Sequence, residues 1–356
     1  MGVCDMAKLT VIVTAYNEEK YIVDCLRSLE NQSFKDFDVI VVNDGSTDKT
    51  LDILNSYIKI TNMNMKILTQ ENSGVSIARN SALKYVDTDY VKFLDGDDFL
   101  QSDALEKMVG MAEKYEVPIV KTSYRMVRGN HVSNNAYNAN FDKAGTIIDL
   151  SKNKDWLVLE NVGIGCKLFK TDCFNSIEFP TFEGDFVPED LAVIPYIHAK
   201  AGMVGVSDLS LVNYRRHSGS LTNLKTRVLS SYYIDSLDSL EYLYKLFKDN
   251  GLYEDYKEQL AKMDVTYRVL DMLSFSTING HHSISEKIKI LDNLRKLAKV
   301  SLDEFGVDKE LYKNENAIWW PLFMGLNKLI LPNSKENIDV EKIKKETKSL
   351  LLKNTN

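Results

Sequence analysis

Over about its first hundred residues the chain alternates between two hydrophobic periods. Leu9-Thr-Val-Ile-Val-Thr14 is a continuous, largely β-branched run, the pattern of a strand covered on both faces. Asn17-Glu18-Glu19 interrupts it, and Tyr21, Cys25, Leu26 and Leu29 then recur at helical spacing. Phe37 to Val42 predicts a second buried strand and Thr47 to Ile60 a helix with Leu51, Leu54 and Ile58 inward. Lys66 to Thr69 predicts a third strand, Ser76 to Tyr85 a third helix and Tyr90 to Leu94 a fourth strand. Strands and helices alternating across short loops imply right-handed crossovers and a parallel sheet, so the fold class is α/β.

The pattern changes further on. Ser123 to Gly145 is rich in Asn and Gly, with Tyr124, Tyr137 and Phe141 among polar residues, and reads as an irregular excursion or β-ribbon beside a site. Order returns over Trp156 to Phe174, then as a helix over Asp190 to Ala201 and a last strand over Leu211 to Tyr214. Beyond Asn223 the signal is helical: Leu229, Tyr233, Leu237, Leu240 and Tyr244 share a face. Ser283-Ile-Ser-Glu286 fits a capping box ahead of Ile288, Leu291, Leu294 and Leu297. The expected organisation is an α/β domain over 1–223 and an all-helical appendage over 224–356.

Charge and cysteine content narrow the function classes. Lys plus Arg is 44 and Asp plus Glu 51 in 356 residues, a net charge of 44 − 51 = −7. A chain held to nucleic acid by phosphate contacts is usually basic, so no nucleic-acid partner is expected. Cys4, Cys25, Cys166 and Cys173 form no CxxC pair and no zinc spacing, and read as buried free thiols in a reducing compartment. Met1 to Lys8 lacks a basic start followed by an apolar run, so a cytoplasmic protein is expected.

In an open parallel sheet, ligands bind beyond the carboxyl ends of the strands. Those ends carry Tyr16-Asn17-Glu18, Asn43-Asp44-Gly45-Ser46, Asn72-Ser73-Gly74 and Asp95-Gly96-Asp97-Asp98. Close carboxylates repel one another unless a cation neutralises them. Asp95 and Asp97 are two apart, so in extended backbone they face the same way, with Gly96 leaving room for a ligand to approach. Oxygen ligands suit Mg²⁺ or Mn²⁺. The lesser reading of Asp44 is a cap for the next helix. No GxGxxG follows the first strand and no GxxxxGK[ST] occurs, which disfavours a dinucleotide fold and removes a P-loop.

Four segments in this order, Val11-Ile-Val-Thr-Ala-Tyr-Asn-Glu18, Val41-Val-Asn-Asp-Gly-Ser-Thr-Asp48, Gly74-Val-Ser-Ile-Ala-Arg-Asn80 and Phe93-Leu-Asp-Gly-Asp-Asp98, resemble those of family 2 glycosyltransferases. The resemblance covers roughly residues 8–223. It implies a GT-A fold and inverting transfer from a nucleotide-diphosphate sugar, most simply a UDP-sugar. By that resemblance Ala15, Tyr16, Asn17 and Glu18 hold the base and ribose, and Asp44 pairs with a uracil ring. Arg79 lines the nucleotide pocket. Asp95 and Asp97 match the DxD pair, the first toward ribose and metal, the second a direct metal ligand, with Gly96 between them. Thr14 stands where many members have Pro.

The same resemblance extends to Glu183-Gly184 and Glu189-Asp190, an ED pair opening a helix beneath the acceptor, and gives Asp190 the role of general base. Gly165-Cys-Lys-Leu-Phe169 is similar to the family's Lys-Leu segment, where Lys167 either orders the region or is a solvated lysine. In Tyr214-Arg-Arg-His-Ser-Gly-Ser220, Arg215 or Arg216 could pair with a diphosphate and His217 could ligate metal. His281 and His282 read as surface residues. Trp319, Trp320 and Lys328, with the lysines at 342, 344 and 345, form either a membrane-surface contact or a closing helix with a solvated tail. The helical appendage is expected to shape the acceptor site or a homo-oligomer interface. The implied acceptor is a hydroxyl of a cell-envelope glycan, a teichoic-acid-like polymer or a glycoprotein glycan. Rival readings are transfer to a polyprenyl phosphate at the membrane, a nucleotidyltransferase, and a non-catalytic nucleotide-sugar-binding subunit.

Overall fold

In the computed structural model, residues 7–129, 131–133, 145–160, 162–182, 188–217, 229–263 and 342 are described. The first half of the sheet follows the hydrophobic pattern. Strands β1 (Leu9–Ala15), β2 (Phe37–Asp44), β3 (Met65–Gln70) and β4 (Tyr90–Asp95) run parallel in the order β3-β2-β1-β4. Helices α1 (Ile22–Glu30), α2 (Thr50–Tyr57) and α3 (Val75–Leu83) make the crossovers. The apolar runs of β1, β2 and β4 are long because both faces are covered. Ile22, Cys25, Leu26 and Leu29 of α1 pack against Val11, Val13, Val39 and Val41 in one core.

Helix α2 is shorter than the sequence pattern suggests. The Asp48 carboxylate accepts from the Thr50 N–H (2.9 Å) and the Thr50 hydroxyl (2.6 Å), so residues 47–49 form the entry turn instead of helix.

The second half of the sheet is mixed, so the sheet as a whole is mostly parallel, as expected. β9 (Lys167–Lys170) inserts antiparallel between β4 and β6 (Ile119–Arg128). β10 (Met203–Arg215) runs parallel to β6 with register shifts and is far longer than the four residues predicted. The short strands β5 (Phe99–Leu100) and β8 (Thr146–Asp149) pair antiparallel with β10, and β7 (His131–Ser133) folds back on β6 as a ribbon. The rest of the predicted Asn- and Gly-rich excursion, 134–144, lies outside the described residues. Helix α4 (Ala104–Lys114) buries Leu105, Met108, Val109 and Ala112, a helical period that the sequence reading leaves unassigned. A single turn α5 (Trp156–Leu159) and helix α6 (Glu189–Ala201) complete this part.

Phe93, Phe169, Phe174 and Phe179 form an aromatic cluster with ring centroids 5.2–6.4 Å apart. Each such pair contributes about 0.5–1.5 kcal/mol beyond its area burial. Cys25 and Cys173 are buried thiols; Cys166 is partly exposed, and Cys4 lies outside the described residues.

The chain divides into two compact units, one of residues 1–183 with 189–220, the other of 184–188 with 221–356. In the second unit, α7 (Leu229–Asp249) buries Leu240, Leu243, Tyr244 and Phe247. Helical residues 253–263 lie against it: the Tyr244 hydroxyl donates to the Leu260 carbonyl (3.0 Å), and Phe247 packs on Tyr256. Among the described residues no helix is long and apolar enough to cross a membrane. The predicted capping box, His281, His282, Trp319, Trp320, Lys328 and the lysines at 344 and 345 fall outside the described residues.

Candidate active site

The ends of β1, β2 and β4 open into one crevice, and its polar side chains divide by how fully they are bonded. Asn17 takes a left-handed conformation (φ 58°), and its carboxamide oxygen accepts from the Thr47 N–H at 2.8 Å. The backbone N–H groups of Asn17 and Glu18 donate to the hydroxyls of Ser46 and Thr50 at 3.0 and 2.7 Å. The loops after β1 and β2 are therefore sewn together. Asp44 is buried, and one carboxylate oxygen accepts from Gln70 Nε2 (2.8 Å) and the Ser73 N–H (2.9 Å). Its other oxygen accepts from the Gly74 N–H (2.9 Å), so Asp44 holds the loop that leads into α3. Gly45 is required here: its φ is +68°, and a Cβ would stand 2.4 Å from the Asn72 nitrogen.

Asp95 ends β4 and its carbonyl accepts the Asp98 N–H (3.0 Å), so residues 95–98 turn sharply. The turn separates two carboxylates expected to face the same way. Asp95 meets Thr14 Oγ1 and Arg79 Nη2, each at 3.4 Å, while Asp97 meets His217 Nε2 at 3.1 Å. Gly96 is explained by β1: a Cβ there would lie 3.0 Å from the Thr14 carbonyl oxygen and 3.2 Å from the Ala15 Cβ. Asp98 is buried and accepts the Arg215 N–H at 2.8 Å. Burial and the charges of Asp97 and Asp95 push its carboxyl well above the usual range.

Glu18, Asp97 and His217 come together from three loops, with one ligand atom from each inside a 4.8 Å cluster. Among the described residues Glu18 Oε2 is buried with no hydrogen-bond partner. Burial first, then the charges of Asp97 and Asp95, push the Glu18 carboxyl up to about 8. Two carboxylates and an imidazole fit a divalent cation such as Mn²⁺ better than the all-oxygen shell of Mg²⁺, and the buried Glu18 oxygen is a donor atom such an ion would use. The structure thus directs Glu18, assigned above to base and ribose, toward Asp97, and Asp95 stands outside the trio. His217 is also packed on Tyr21, ring centroids 4.4 Å apart.

Arg79 is 3% exposed and spans the two halves of the crevice. Its Nη1 lies 2.5 Å from Glu189 and 3.1 Å from Asp190, and its Nη2 reaches Asp95. Burial opposes the Arg79 charge, and the three carboxylates more than offset it. The Asp190 side chain is 20% exposed. Its second oxygen accepts the Ile164 N–H at 2.9 Å. Burial, against the pull of Arg79, brings the Asp190 carboxyl up to about 7, the range of a base operating at neutral pH.

Arg215 and Arg216 are the residues expected to pair with a diphosphate. Arg215 donates from Nε to the Asp97 carbonyl (2.8 Å) and from Nη2 to Asp24 (3.2 Å), with its guanidinium between Tyr21 and Phe99. It braces the turn that carries Asp97. The Arg216 N–H donates to the Val127 carbonyl, and its side chain is partly exposed. Tyr16 is exposed at the mouth, and Ala15 is buried at the end of β1. Glu183 and the Ser218 to Ser220 segment lie outside the described residues.

Residues 10–171 match the glycosyl transferase family 2 model. The chain carries a family 2 glycosyltransferase domain. Its fold is GT-A: Staphylococcus aureus TarS residues 1–349, solved with UDP, superposes with a TM-score of 0.63 at 20% identity, covering 91% of this chain and 89% of that one. Glycosyltransferase GlyA of Streptococcus pneumoniae is 27% identical over 65% of this chain, which spans 34% of GlyA. The teichoic acid poly(glycerol phosphate) polymerase of Staphylococcus epidermidis is 48% identical over 28% of the chain, which spans 14% of that polymerase. EpsH of Bacillus subtilis is 27% identical over 79% of the chain and 81% of its own length. The glycosyltransferase domain therefore belongs with transferases, one of these relatives being named for a teichoic acid polymer.

Proposed function

We propose that the glycosyltransferase domain moves a sugar from a nucleotide-diphosphate donor, first of all a UDP-sugar, to a hydroxyl of a teichoic-acid-like or other cell-envelope glycan, with inversion. The observation that carries this is the placement of Asp190, which Arg79 ties to Asp95 of the candidate DxD pair. The solved TarS complexes with UDP and with UDP-GlcNAc support the donor class, as do relatives named for ribitol-phosphate polymers.

In the proposed reaction the acceptor hydroxyl forms a new C–O bond to the anomeric carbon. The bond from that carbon to the diphosphate oxygen breaks, and its electron pair leaves with the nucleoside diphosphate. Asp190 takes the hydroxyl proton. Arg79 keeps Asp190 in register and favours its ionised form. Glu18, Asp97 and His217 would hold a divalent cation, which when bound neutralises charge on the departing diphosphate. Asp44 and Asn17 fix the loops around the proposed nucleotide site, with Ala15 and Tyr16 on its wall. Residues 1–223 form the proposed catalytic part and 224–356 a helical part for acceptor binding or self-association, and the intact chain is proposed to be cytoplasmic.

The test is UDP release from UDP-GlcNAc and UDP-glucose with Mn²⁺ and a poly(ribitol phosphate) or poly(glycerol phosphate) acceptor. Acceptor-dependent release that Asp190→Asn abolishes supports the reading. Turnover that is unchanged in Asp190→Asn, or in EDTA, refutes the base or the cation respectively. Release of pyrophosphate from a nucleoside triphosphate would favour a nucleotidyltransferase instead.

A further inference from the structure

Three lysines of the sheet are buried. Lys92 on β4, Lys121 on β6 and Lys167 on β9 are 0%, 8% and 1% exposed. Lysine is among the residues least often buried, because removing an ammonium from water is costly unless it is paired and hydrogen-bonded. Lys121 and Lys167 share the buried Glu160 carboxylate at 2.6 and 3.0 Å. Lys92 has no such counterion among the described residues, and burial pulls its ammonium down to about 8.

What these ammoniums hold is one turn. Lys167 Nζ donates to the Gly163 carbonyl (2.9 Å), and Lys92 Nζ donates to the Gly165 and Phe93 carbonyls. Thr122 Oγ1 donates to the Cys166 carbonyl (3.0 Å). Three of the four carbonyls of Gly163–Cys166 are thus held by buried side chains. The remaining residue of the turn, Ile164, gives its N–H to Asp190. A plain structural reading is that the lysines only satisfy buried carbonyls. That reading does not explain why two ammoniums serve a turn whose amide ends on the candidate base.

We propose that Lys92 and Lys167 clamp the Gly163–Cys166 turn so that the Ile164 N–H fixes the position of Asp190. They are positioning residues, acting through the turn on a carboxylate also faced by Arg79 from α3, Glu189 from α6 and Asp95 from β4. The inference rests on Asp190 being the base.

The decisive variant is Ile164→Pro. Ile164 opens a short 3₁₀ turn, and Gly163 before it has φ −51° and ψ 119°, a conformation that proline accepts in its predecessor. The substitution deletes the N–H and little else of the backbone. A hydrogen bond to the ionised carboxylate lowers its pKa, so its loss moves the acid limb of the kcat/KM profile upward. The expected result is an acid limb at least half a pH unit higher and kcat at least ten-fold lower, with the donor KM within two-fold of wild type. Ile164→Ala keeps the N–H while losing side-chain packing, and should leave the limb where it is. Lys167→Met should move it in the same direction by less, and serves if the proline variant does not fold.

A folded Ile164→Pro or Lys167→Met enzyme with the wild-type limb overturns the clamp. So does an equal shift in Ile164→Ala. If Asp190→Asn itself retains turnover, the base assignment fails and the clamp falls with it. An inactive Asp190→Asn beside an unmoved limb refutes the clamp alone.

Discussion

Asp44 and Asp190 both accept donors on each carboxylate oxygen, and burial acts on them differently. Asp44 accepts from Gln70, Ser73 and Gly74, all donors of its own fold. Asp48 is similar: despite partial burial, donors from Thr50 and Glu19 hold its carboxyl below the usual range. Asp190 has a donor on each oxygen, Arg79 and the Ile164 N–H, yet burial raises its carboxyl to about 7. Glu18 is raised to about 8, and among the described residues one of its oxygens has no donor. The saturated carboxylate of Asp44 builds loops. The raised ones store unfavourable electrostatics that a cation or a proton can relieve. Buried charge without full pairing persists where a site needs it, and costs stability there.

Substitutions should separate the two groups. The largest effect is on turnover: Asp190→Asn lowers kcat by about 10²–10⁴, the usual contribution of a positioned base. Donor binding, followed by fluorescence or calorimetry, should change little. An equally inactive Asp48→Asn with intact folding would erase the distinction.

Next comes stability. Asp44→Asn places an amide N–H₂ against N–H donors and should cost about 1–3 kcal/mol, measured by urea denaturation. Glu18→Gln should do the reverse in EDTA at pH 8 and raise Tm. The sign follows from linkage. Glu18 and Asp190 have folded pKa values above their ordinary ones, so the native state binds more protons between about pH 4 and 8. Their contribution therefore favours the fold at low pH and is lost as pH rises through about 7 and 8. Metal-free Tm should fall across that window more steeply in wild type than in Glu18→Gln. Parallel curves would contradict the burial of that charge.

A smaller effect is expected from pH on turnover itself. With Asp190 ionising near 7, kcat/KM should rise through neutrality and level above about pH 8. A profile flat from pH 5.5 to 8.5 would remove Asp190 as the group that titrates. The smallest is structural: Gly96→Ala should cost about 1–2 kcal/mol by pressing on the Thr14 carbonyl, without altering cation affinity.

The parallel half of the sheet is legible in the sequence because each strand and helix announces itself locally, as in Leu9–Ala15 and Ile22–Glu30. β5 and β9 are two and four residues long and pair antiparallel with distant strands, so no local period marks them. The site divides the same way. The acidic strand ends stand out as motifs, yet the turn at 95–98 that parts Asp95 from Asp97 is visible only in the fold. Glu18 with Asp97 and His217, and Arg79 with Asp190, meet across long stretches of chain, and spacing alone carries no trace of either meeting. Lys167 illustrates the limit: solvated or ordering in the sequence, it is buried against Glu160 in the structure.

The claim that unsatisfied carboxylates form the cation site can be tested without donor or acceptor. Titrating Mn²⁺ and following the free ion by electron paramagnetic resonance should reveal one site in the wild-type chain. That site should weaken at least ten-fold in Glu18→Gln and in Asp97→Asn, and persist in Asp44→Asn. Equal Mn²⁺ binding by wild type and Asp97→Asn would contradict the account.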